Sequence, residues 1–434
     1  MESPAAVVIG AGISGLAAAR ALARSRPDIV VQVLDAGEAP GGTFRTVTAD
    51  GFRAELGPNT LQDSPELREL ARDAHCEDGL VPASPLARKR YLVSGGKLIA
   101  LPSGPPGILT TPLLSPGARL RLLTEPWRGR GPGPEETVSA FFRRRLGPQT
   151  VRLADAMVLG VYAGDPAELA VGYAFRRVQA MEKQHGSLFK ALRKTGRPPG
   201  LVGFRDGLSD FAAHLARGLD VETGWRVETV HHDGEIFHGT AVREGERREW
   251  EARRLVTALP AAATARLLAG LGSTRAIAAL PHAPVAVVSL GFPRDRIARP
   301  LDGFGLLAPH AEGRRILGAI FTSTLFPAAA PAGHALLTAM VGGRRAPERV
   351  DLDDEALVRL VREELGELLG IQGAPVFQRL IRWQPGIPQP TPAWAASSRE
   401  ADELERAHPG LTVLGNWRHG VGVPDCIRAG WAVR

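Results

Sequence analysis

The sequence predicts a mixed α/β fold with an additional helical region, and three observations carry that prediction. Residues 5–35 read as a strand, a glycine-rich turn, an Ala/Leu-rich helix and a second strand ending in an acid. A second glycine-rich segment, Gly415-Asn416 followed by Gly420-Val421-Gly422-Val423-Pro424-Asp425, comes almost at the other end of the chain. Between them lie a basic, helix-prone stretch from 90 to about 203 and a series of β-branched runs from 283 to 341.

Ala5 to Ile9 is short, apolar and β-branched, the pattern of a strand buried in a parallel sheet. Gly10, Gly12 and Gly15 follow as G-x-G-x-x-G around Ile13 and Ser14. The first glycine permits a tight turn, the second lets backbone approach a pyrophosphate, and the third lets the next helix pack close to the strand. Leu16 to Leu22 is strongly helix-forming, and its N-terminus offers free N–H groups and a positive dipole end to phosphates. Ile29 to Leu34 is a second apolar strand. Asp35, about 20 residues beyond Gly15, stands where a carboxylate meets a ribose. Gly41-Gly42 and Glu55-Leu56-Gly57-Pro58-Asn59 then bring bare backbone to the same region again. A long dinucleotide running deep into the protein suits this arrangement, and no second unit of that quality follows to hold a nicotinamide cofactor. Together with the far glycine segment, the pattern points to a discontinuous Rossmann-like domain that binds FAD, hence to an FAD-dependent oxidoreductase.

The remaining elements follow in order. Residues 90–203 read as helical, broken by the Pro/Gly loop Pro126 to Pro134. Asp210 to Leu219 is an amphipathic helix, and 221–230 and 254–260 are strands returning to the dinucleotide domain. Residues 283–292, 303–307, 316–323 and 335–341 read as an antiparallel sheet. Leu357, Val358, Leu360, Val361, Leu365, Leu368 and Leu369 keep helical spacing behind the capping candidates Asp353 and Asp354. Leu411 to Leu414 is the strand feeding the second signature. The expected domains are 1–89, 204–265 and 405–434 for FAD, 266–404 for the antiparallel sheet, and 90–203 for the helical region.

The chain has 434 residues, 44% hydrophobic and 23% charged, which suits a globular protein of two or three domains. Cys76 and Cys426 are its two cysteines, without C-x-x-C, so neither a disulfide framework nor a metal site is expected. That usage, with no charged-then-apolar leader before the first strand, suggests a reduced, cytoplasmic compartment. Net charge is +7, with arginines clustered at 119–130, 143–145, 176–177 and 193–197. No nucleic-acid module accompanies them, so nucleic acid is not an expected partner. An anionic membrane surface fits better, beside the plainer reading of a solvated basic face. Leu101, Ile108, Leu109, Leu113, Leu114, Leu120, Leu122, Leu123 and Trp127, with Arg119, Arg121 and Arg128 among them, suit shallow interfacial insertion; the alternative is an internal core loop. The run Ile316 to Gly343 is long enough to span a bilayer, but Pro327 and Pro331 divide it into two strands.

The chain resembles the oxygen-dependent protoporphyrinogen oxidases of the flavin amine oxidase superfamily, the bacterial, myxobacterial-like members above all. The resemblance rests on Glu55-Leu56-Gly57-Pro58-Asn59, Arg90-Tyr91-Leu92-Val93, Gly160-Val161-Tyr162-Ala163-Gly164-Asp165 and Gly303-Phe304-Gly305-Leu306-Leu307. It continues through Leu317-Gly318-Ala319-Ile320-Phe321-Thr322-Ser323, Met340-Val341-Gly342-Gly343, Arg382-Trp383, Gly386-Ile387-Pro388-Gln389, and Gly415-Asn416 to Cys426. It implies an FAD-binding domain, an antiparallel-sheet substrate domain and a helical membrane-binding domain, in a homodimer held peripherally on the cytoplasmic side of a membrane. Arg90 matches a propionate-binding arginine. Phe304, Gly305, Leu307, Ile320 and Met340 match positions lining the tetrapyrrole. Val227 matches a backbone contact to adenine, and Gly422 and Val423 match the segment facing the flavin's pyrimidine end. Without the resemblance, Arg90 reads as a surface residue beside Arg88 and Lys89, and the five lining positions read as ordinary core.

The implied reaction is the six-electron aromatisation of protoporphyrinogen IX, with a hydride passing from a meso bridge to flavin N5, a pyrrole N–H losing its proton, and dioxygen returning as hydrogen peroxide. The sequence shows no Ser, His or Cys constellation for nucleophilic or general-base catalysis, and an apolar cavity with one carboxylate anchor is consistent with that. Two departures stand out. After Gln389 the chain reads Pro390-Thr391-Pro392-Ala393-Trp394-Ala395 in place of an aromatic residue and a Gly-His pair, and it ends at Arg434 where relatives add a longer helix, implying weaker FAD retention. The alternatives are coproporphyrinogen III oxidation, whose four propionates would use Arg88, Lys89, Arg176 and Lys183; an amine oxidase or carotenoid desaturase, against which 3 Tyr leave no aromatic cage; and a non-catalytic flavin- or tetrapyrrole-binding membrane protein.

Overall fold

A computed structural model of the chain describes residues 5–102, 105–194 and 199–434. The side chains of Leu109, Arg193 and Lys194, and residues 195–197 of the basic run, lie outside the described residues.

The dinucleotide unit folds around a five-stranded parallel sheet. Its order is Asp220–Thr223, Val31–Asp35, Ala6–Ile9, Arg254–Thr257, Leu411–Val413. Val7, Val8, Val33 and Leu34 in its centre are fully buried, as two-sided cover by helices requires. Helix Ile13–Ser25 packs its alanine-rich face, Ala17, Ala18 and Ala21, into one core with the final helix Val423–Trp431. Small residues make that approach possible: a Cβ on Gly430 would stand 2.4 Å from the Ser14 carbonyl oxygen. The two ends of the chain therefore meet in one core.

The expected strand 221–230 is two strands in two sheets. Gly224, at φ +78°, turns the chain and donates its N–H to the Gly37 carbonyl at 2.8 Å. Beyond it Arg226–His232 pairs with Phe237–Arg243 and Glu246–Ala252 in an antiparallel three-stranded sheet.

A seven-stranded sheet forms the second unit. It runs Phe377–Pro388, His282–Pro293, His334–Gly342, Ile316–Ile320, Gly305–Leu307, Tyr91–Ser94, Lys97–Ala100. The last two strands correct the placing of residues 90–100 with the helices. Gly95 and Gly96, at φ +58° and +72°, close a two-residue hairpin between them, which is the turn that matches strand twist. The strand expected over 316–323 stops at Ile320, and Thr322–Leu325 is a helical turn. Helix Asp354–Leu369 covers one face, its first turn capped by Asp353, which accepts from the Ala356 N–H at 2.7 Å.

The helical region is tied together by an ion pair between Arg145 and Glu125, both fully buried. Glu125 also accepts from the Ser187 hydroxyl at 2.5 Å and the Leu188 N–H at 2.9 Å. A buried pair survives only when its remaining lone pairs are satisfied in this way. The apolar stretch from 101 to 127 divides between its two readings. Leu114 and Leu122 are core, while Leu120, Leu123 and Trp127 are 66%, 55% and 83% exposed. Among the described residues no helix is long and apolar enough to cross a membrane.

Candidate cofactor and substrate site

The first glycine signature makes an open cradle. Gly10 sits at φ +105°, and a Cβ there would meet the Ala258 carbonyl oxygen at 2.8 Å. A Cβ on Gly15 would lie 1.8 Å from the Gly10 carbonyl oxygen, so helix and turn can be this close only with glycine. In front of Gly12 there is nothing within 4 Å. Asp35 shapes the loop from behind: its carboxylate accepts the Ala11 N–H at 2.6 Å and the Gly37 N–H at 2.7 Å.

The next glycine segments join the same cradle. Gly41 donates its N–H to the Ala11 carbonyl at 2.8 Å, and a Cβ on Gly42, at φ +59°, would stand 3.2 Å from the Gly12 Cα. Gly57 is pressed against the Thr43 carbonyl, and Pro58 leads to buried Asn59. The Asn59 amide donates to the Gly57 carbonyl at 3.1 Å, while its Oδ1 is buried without a partner. The strand carrying Val227 starts beside the Gly37 turn through the Gly224 contact.

At the far end Gly415 precedes the short helix Asn416–His419, and Gly422 caps helix Val423–Trp431. The contact of Gly430 with Ser14 brings this second signature onto the first. An open glycine loop at a helix N-terminus, a second glycine pair against it and an unsatisfied buried acceptor at Asn59 fit a dinucleotide such as FAD. Among the described residues no cluster of three or more His, Cys, Asp and Glu side chains is placed to hold a metal ion.

One residue missed in the sequence joins these loops. Glu55 is buried and accepts from the Thr46 hydroxyl at 2.8 Å and the Leu208 N–H at 3.0 Å, at the start of helix Leu208–Ala216. Burial pushes its carboxyl up to about 7 although both hydrogen bonds favour the charge. Its place between Ala54 and Leu56 at the head of the Glu55-to-Asn59 motif was the available signal.

The lining residues assemble by strand register. Leu307 pairs with Gly318, Gly318 with Met340, Met340 with Val287, and Val287 with Ile381. Gly305 pairs with Ile320 two residues along. Paired residues share a face, so Gly305, Leu307, Ile320 and Met340 lie on one side of the sheet, opposite helix Asp354–Leu369. Gly305 is obligatory at φ +152°, where a Cβ would be 2.1 Å from the Ala319 carbonyl oxygen. Trp383, on the same face, donates its indole N–H to the Leu56 carbonyl at 2.8 Å and ties the sheet to the loop of Gly57 and Asn59. Across the face, Gly160 of helix Val151–Tyr162 is close enough to Leu307 that a Cβ would touch its methyls at 3.5 Å, and Met157 and Val161 beside it are exposed.

Arg90 closes one end of this face. Its guanidinium lies 5.0 Å from the centre of the Phe304 ring. The residue as a whole is exposed, yet the protein around the guanidinium desolvates it enough to lower its pKa. No carboxylate pairs with it among the described residues, unlike Lys89, which is bound to Asp302. Two surface clefts lie elsewhere, one along Pro327 to Ala335 and one around Arg68 and Arg72, and neither touches the glycine loops. The arrangement can hold a flat apolar ring system with an acidic substituent. It contains no paired nucleophile and base, so the redox chemistry has to come from a bound group.

The chain matches the family described as flavin containing amine oxidoreductase over residues 13–433. It is 31% identical to the chloroplastic protoporphyrinogen oxidase of Nicotiana tabacum, covering 98% of this chain and 84% of that protein. It is 27% identical to the coproporphyrinogen III oxidase of Bacillus subtilis (strain 168), covering 98% and 96%. A crystal structure from Exiguobacterium sp. 255-15 shares the fold with a TM-score of 0.85 at 23% identity, over 99% of this chain and 98% of that one.

Proposed function

The chain belongs to the flavin containing amine oxidoreductase family and is an FAD-dependent oxidoreductase, and we propose that its reaction is the oxidation of protoporphyrinogen IX to protoporphyrin IX with dioxygen as acceptor. The observation that carries this reading is the apolar sheet face of Gly305, Leu307, Ile320 and Met340, ending at the unpaired Arg90 and joined to the Leu56 loop by Trp383. FAD, when bound, supplies the two-electron acceptor for each of three successive oxidations. Gly10, Gly12, Ile13, Ser14 and Gly15 would hold its phosphates, Asp35 and Val227 its adenosine half, and Gly41, Gly42, Gly57, Pro58, Asn59, Gly415, Gly422 and Val423 the rest.

The protein's own contribution is placement. Arg90 takes a propionate as a fork of N–H donors, its affinity raised by partial desolvation and the absence of a competing carboxylate. The apolar face admits a neutral macrocycle and keeps water from it. With Lys89 tied to Asp302, Arg90 is the cation set against the lining at that end, which favours a substrate carrying two carboxylates over one carrying four. The similarity to a coproporphyrinogen III oxidase keeps that substrate as the second reading.

The helical region contributes a surface. Leu120, Leu123 and Trp127 project from between Arg119, Arg121 and Arg128, which suits a peripheral seat on an anionic membrane where an apolar substrate and product partition. As domain limits we keep 1–89, 204–265 and 405–434 for FAD, 266–404 with 90–100 for the substrate sheet, and 101–203 for the helical region.

Anaerobic mixing of the yellow protein with each porphyrinogen tests the reading. Faster bleaching of the flavin by protoporphyrinogen, followed by porphyrin fluorescence in air, is expected. Faster bleaching by coproporphyrinogen would move the assignment to that substrate, and no bleaching by either would remove it.

A further inference from the structure

Helix Val151–Tyr162 meets the substrate sheet along one line, and guanidiniums fasten it at both ends: at its start Arg152 reaches Glu312 at 2.5 Å and the Ser94 hydroxyl at 3.1 Å, and at its far end stands Arg345. Arg345 lies just past strand His334–Gly342. Its Nε and Nη2 each sit 2.7 Å from an oxygen of Asp165, and its Nη1 sits 2.8 Å from Asp155 Oδ1. Asp155 stands inside the helix and Asp165 just beyond its end. The other oxygen of Asp155 accepts the His310 N–H at 2.8 Å, three residues past strand Gly305–Leu307. Asp165 also accepts the Ala167 N–H at 2.8 Å. The neighbouring backbone repeats the tie: the Arg344 N–H donates to the Ala163 carbonyl at 2.8 Å, and a Cβ on Gly343 would stand 2.6 Å from that oxygen. Every charged group of the cluster is matched, and the carboxylates hold the arginine's pKa up although burial works against it.

The helix has two different sides. Asp155 is buried and faces Arg345, whereas Met157, Gly160 and Val161 are exposed, and a Cβ on Gly160 would come into ordinary contact with Leu307 at 3.5 Å. The half-buried Leu307 and Ile320 therefore face an element whose seat on the sheet the latch helps to fix. We propose that Arg345 is a positioning residue for the substrate: by clamping Asp155 and Asp165 to the end of the sheet, it sets how far helix Val151–Tyr162 stands from strand Gly305–Leu307, and so the size of tetrapyrrole that the Leu307 face accepts. A bidentate guanidinium–carboxylate pair fixes orientation as well as distance, which an ammonium at the same place does not. The inference rests on the porphyrinogen reading above.

The test uses the FAD-loaded enzyme with Arg345→Met, which keeps the volume, and Arg345→Lys, which keeps the charge. KM and kcat are measured with protoporphyrinogen IX and coproporphyrinogen III, and backbone hydrogen exchange is followed over residues 151–165. For Arg345→Met the expectation is a KM raised about tenfold with kcat within about twofold, a lower ratio of kcat/KM between the two substrates, and faster exchange in that segment. Arg345→Lys is expected to recover part of each change. An unchanged KM and substrate ratio would overturn the proposal, even with a lower Tm, because a purely structural arginine would produce that result. Unchanged exchange over 151–165 would overturn the latch itself. A wild-type enzyme that oxidises neither porphyrinogen would overturn the porphyrinogen reading, and the exchange measurement would then judge the latch independently.

Discussion

Replacing Gly430 by alanine puts the closure of the chain on itself to a quantitative test. The added Cβ would stand 2.4 Å from the Ser14 carbonyl oxygen, 2.9 Å from the Ala17 Cβ and 3.0 Å from the Ala18 nitrogen. Two of the three neighbours are backbone and the third is a methyl group, so no side chain can swing aside. The last helix has to move off the first by roughly 1 Å to restore van der Waals contact. Overpacking of this kind costs about 1–3 kcal/mol, while alanine in a helix recovers about 1 kcal/mol over glycine. The net expectation is a loss of up to about 2 kcal/mol and a Tm lower by up to a few degrees. Because Ser14 lies in the turn that would receive the phosphates, FAD affinity should fall about tenfold, equivalent to about 1.4 kcal/mol. Thermal release of flavin fluorescence and titration of apoprotein with FAD give the two numbers. Gly117→Ala is the control, since nothing lies within 4 Å of that Cβ and the residue is helical; it should be neutral or stabilising. An equal or higher Tm with unchanged FAD affinity for Gly430→Ala would refute the argument that the two chain ends pack at backbone distance.

Four more expectations use other parts of the molecule. Asp35→Ala leaves the Ala11 and Gly37 N–H groups without their acceptor, at about 1–3 kcal/mol for each buried group left unpaired; FAD retention through gel filtration should drop sharply, and full retention would refute a role for the acid in shaping the loop. Arg90→Ala should raise KM by roughly 10–100-fold, the worth of a charge-assisted hydrogen bond, and slow flavin reduction at saturation far less; an unchanged KM in a folded variant removes Arg90 from substrate binding. Glu55 releases its proton at about 7 in the folded protein and near 4.5 when unfolded, so between these values the folded state holds more protons and stability falls as pH rises, levelling off above about 7. Urea unfolding of wild type and Glu55→Gln at pH 5 and pH 8 should show the gap moving in favour of the variant at pH 8, and a gap independent of pH would contradict the buried, high-pKa carboxyl. Trp127→Glu with Leu123→Glu should abolish co-sedimentation with anionic vesicles while leaving flavin content intact; binding equal to wild type would leave the exposed apolar patch without a membrane role.

The dinucleotide half was legible because its signals are local. Glycines at 10, 12 and 15 act within one strand–turn–helix unit, and Asp35 ends the next strand, so their spacing along the chain is also their spacing in space. The strand over 221–230 was misread because its break depends on Gly224 reaching Gly37, a contact between segments far apart in sequence. Residues 91–100 were placed with the helices for a similar reason. The Gly95-Gly96 turn marks a hairpin, but not which sheet receives it. The edge strand Phe377–Pro388, with Pro385 inside it, lacks the apolar run that marked its neighbours, as an edge position allows.

The substrate face shows the limit most clearly. Period-2 alternation places Gly305 and Leu307, or Gly318 and Ile320, on a common side of one strand, and on spacing alone these are core residues. Which side faces the cofactor loops was settled by register across five strands, by Trp383 meeting Leu56, and by helix Asp354–Leu369 taking the opposite face. By itself, the sequence determined that glycine loops able to receive a long dinucleotide lie at both ends of the chain, because bare backbone at fixed intervals is a property of residue type and order. Only the tertiary structure decided that Arg90 has no carboxylate partner among the described residues, that Glu55 is buried among its hydrogen bonds, and that Arg345 helps to fasten a helix over the sheet. Pairing, desolvation and clearance depend on which distant atoms fill the surrounding volume, and chain spacing carries no information about that.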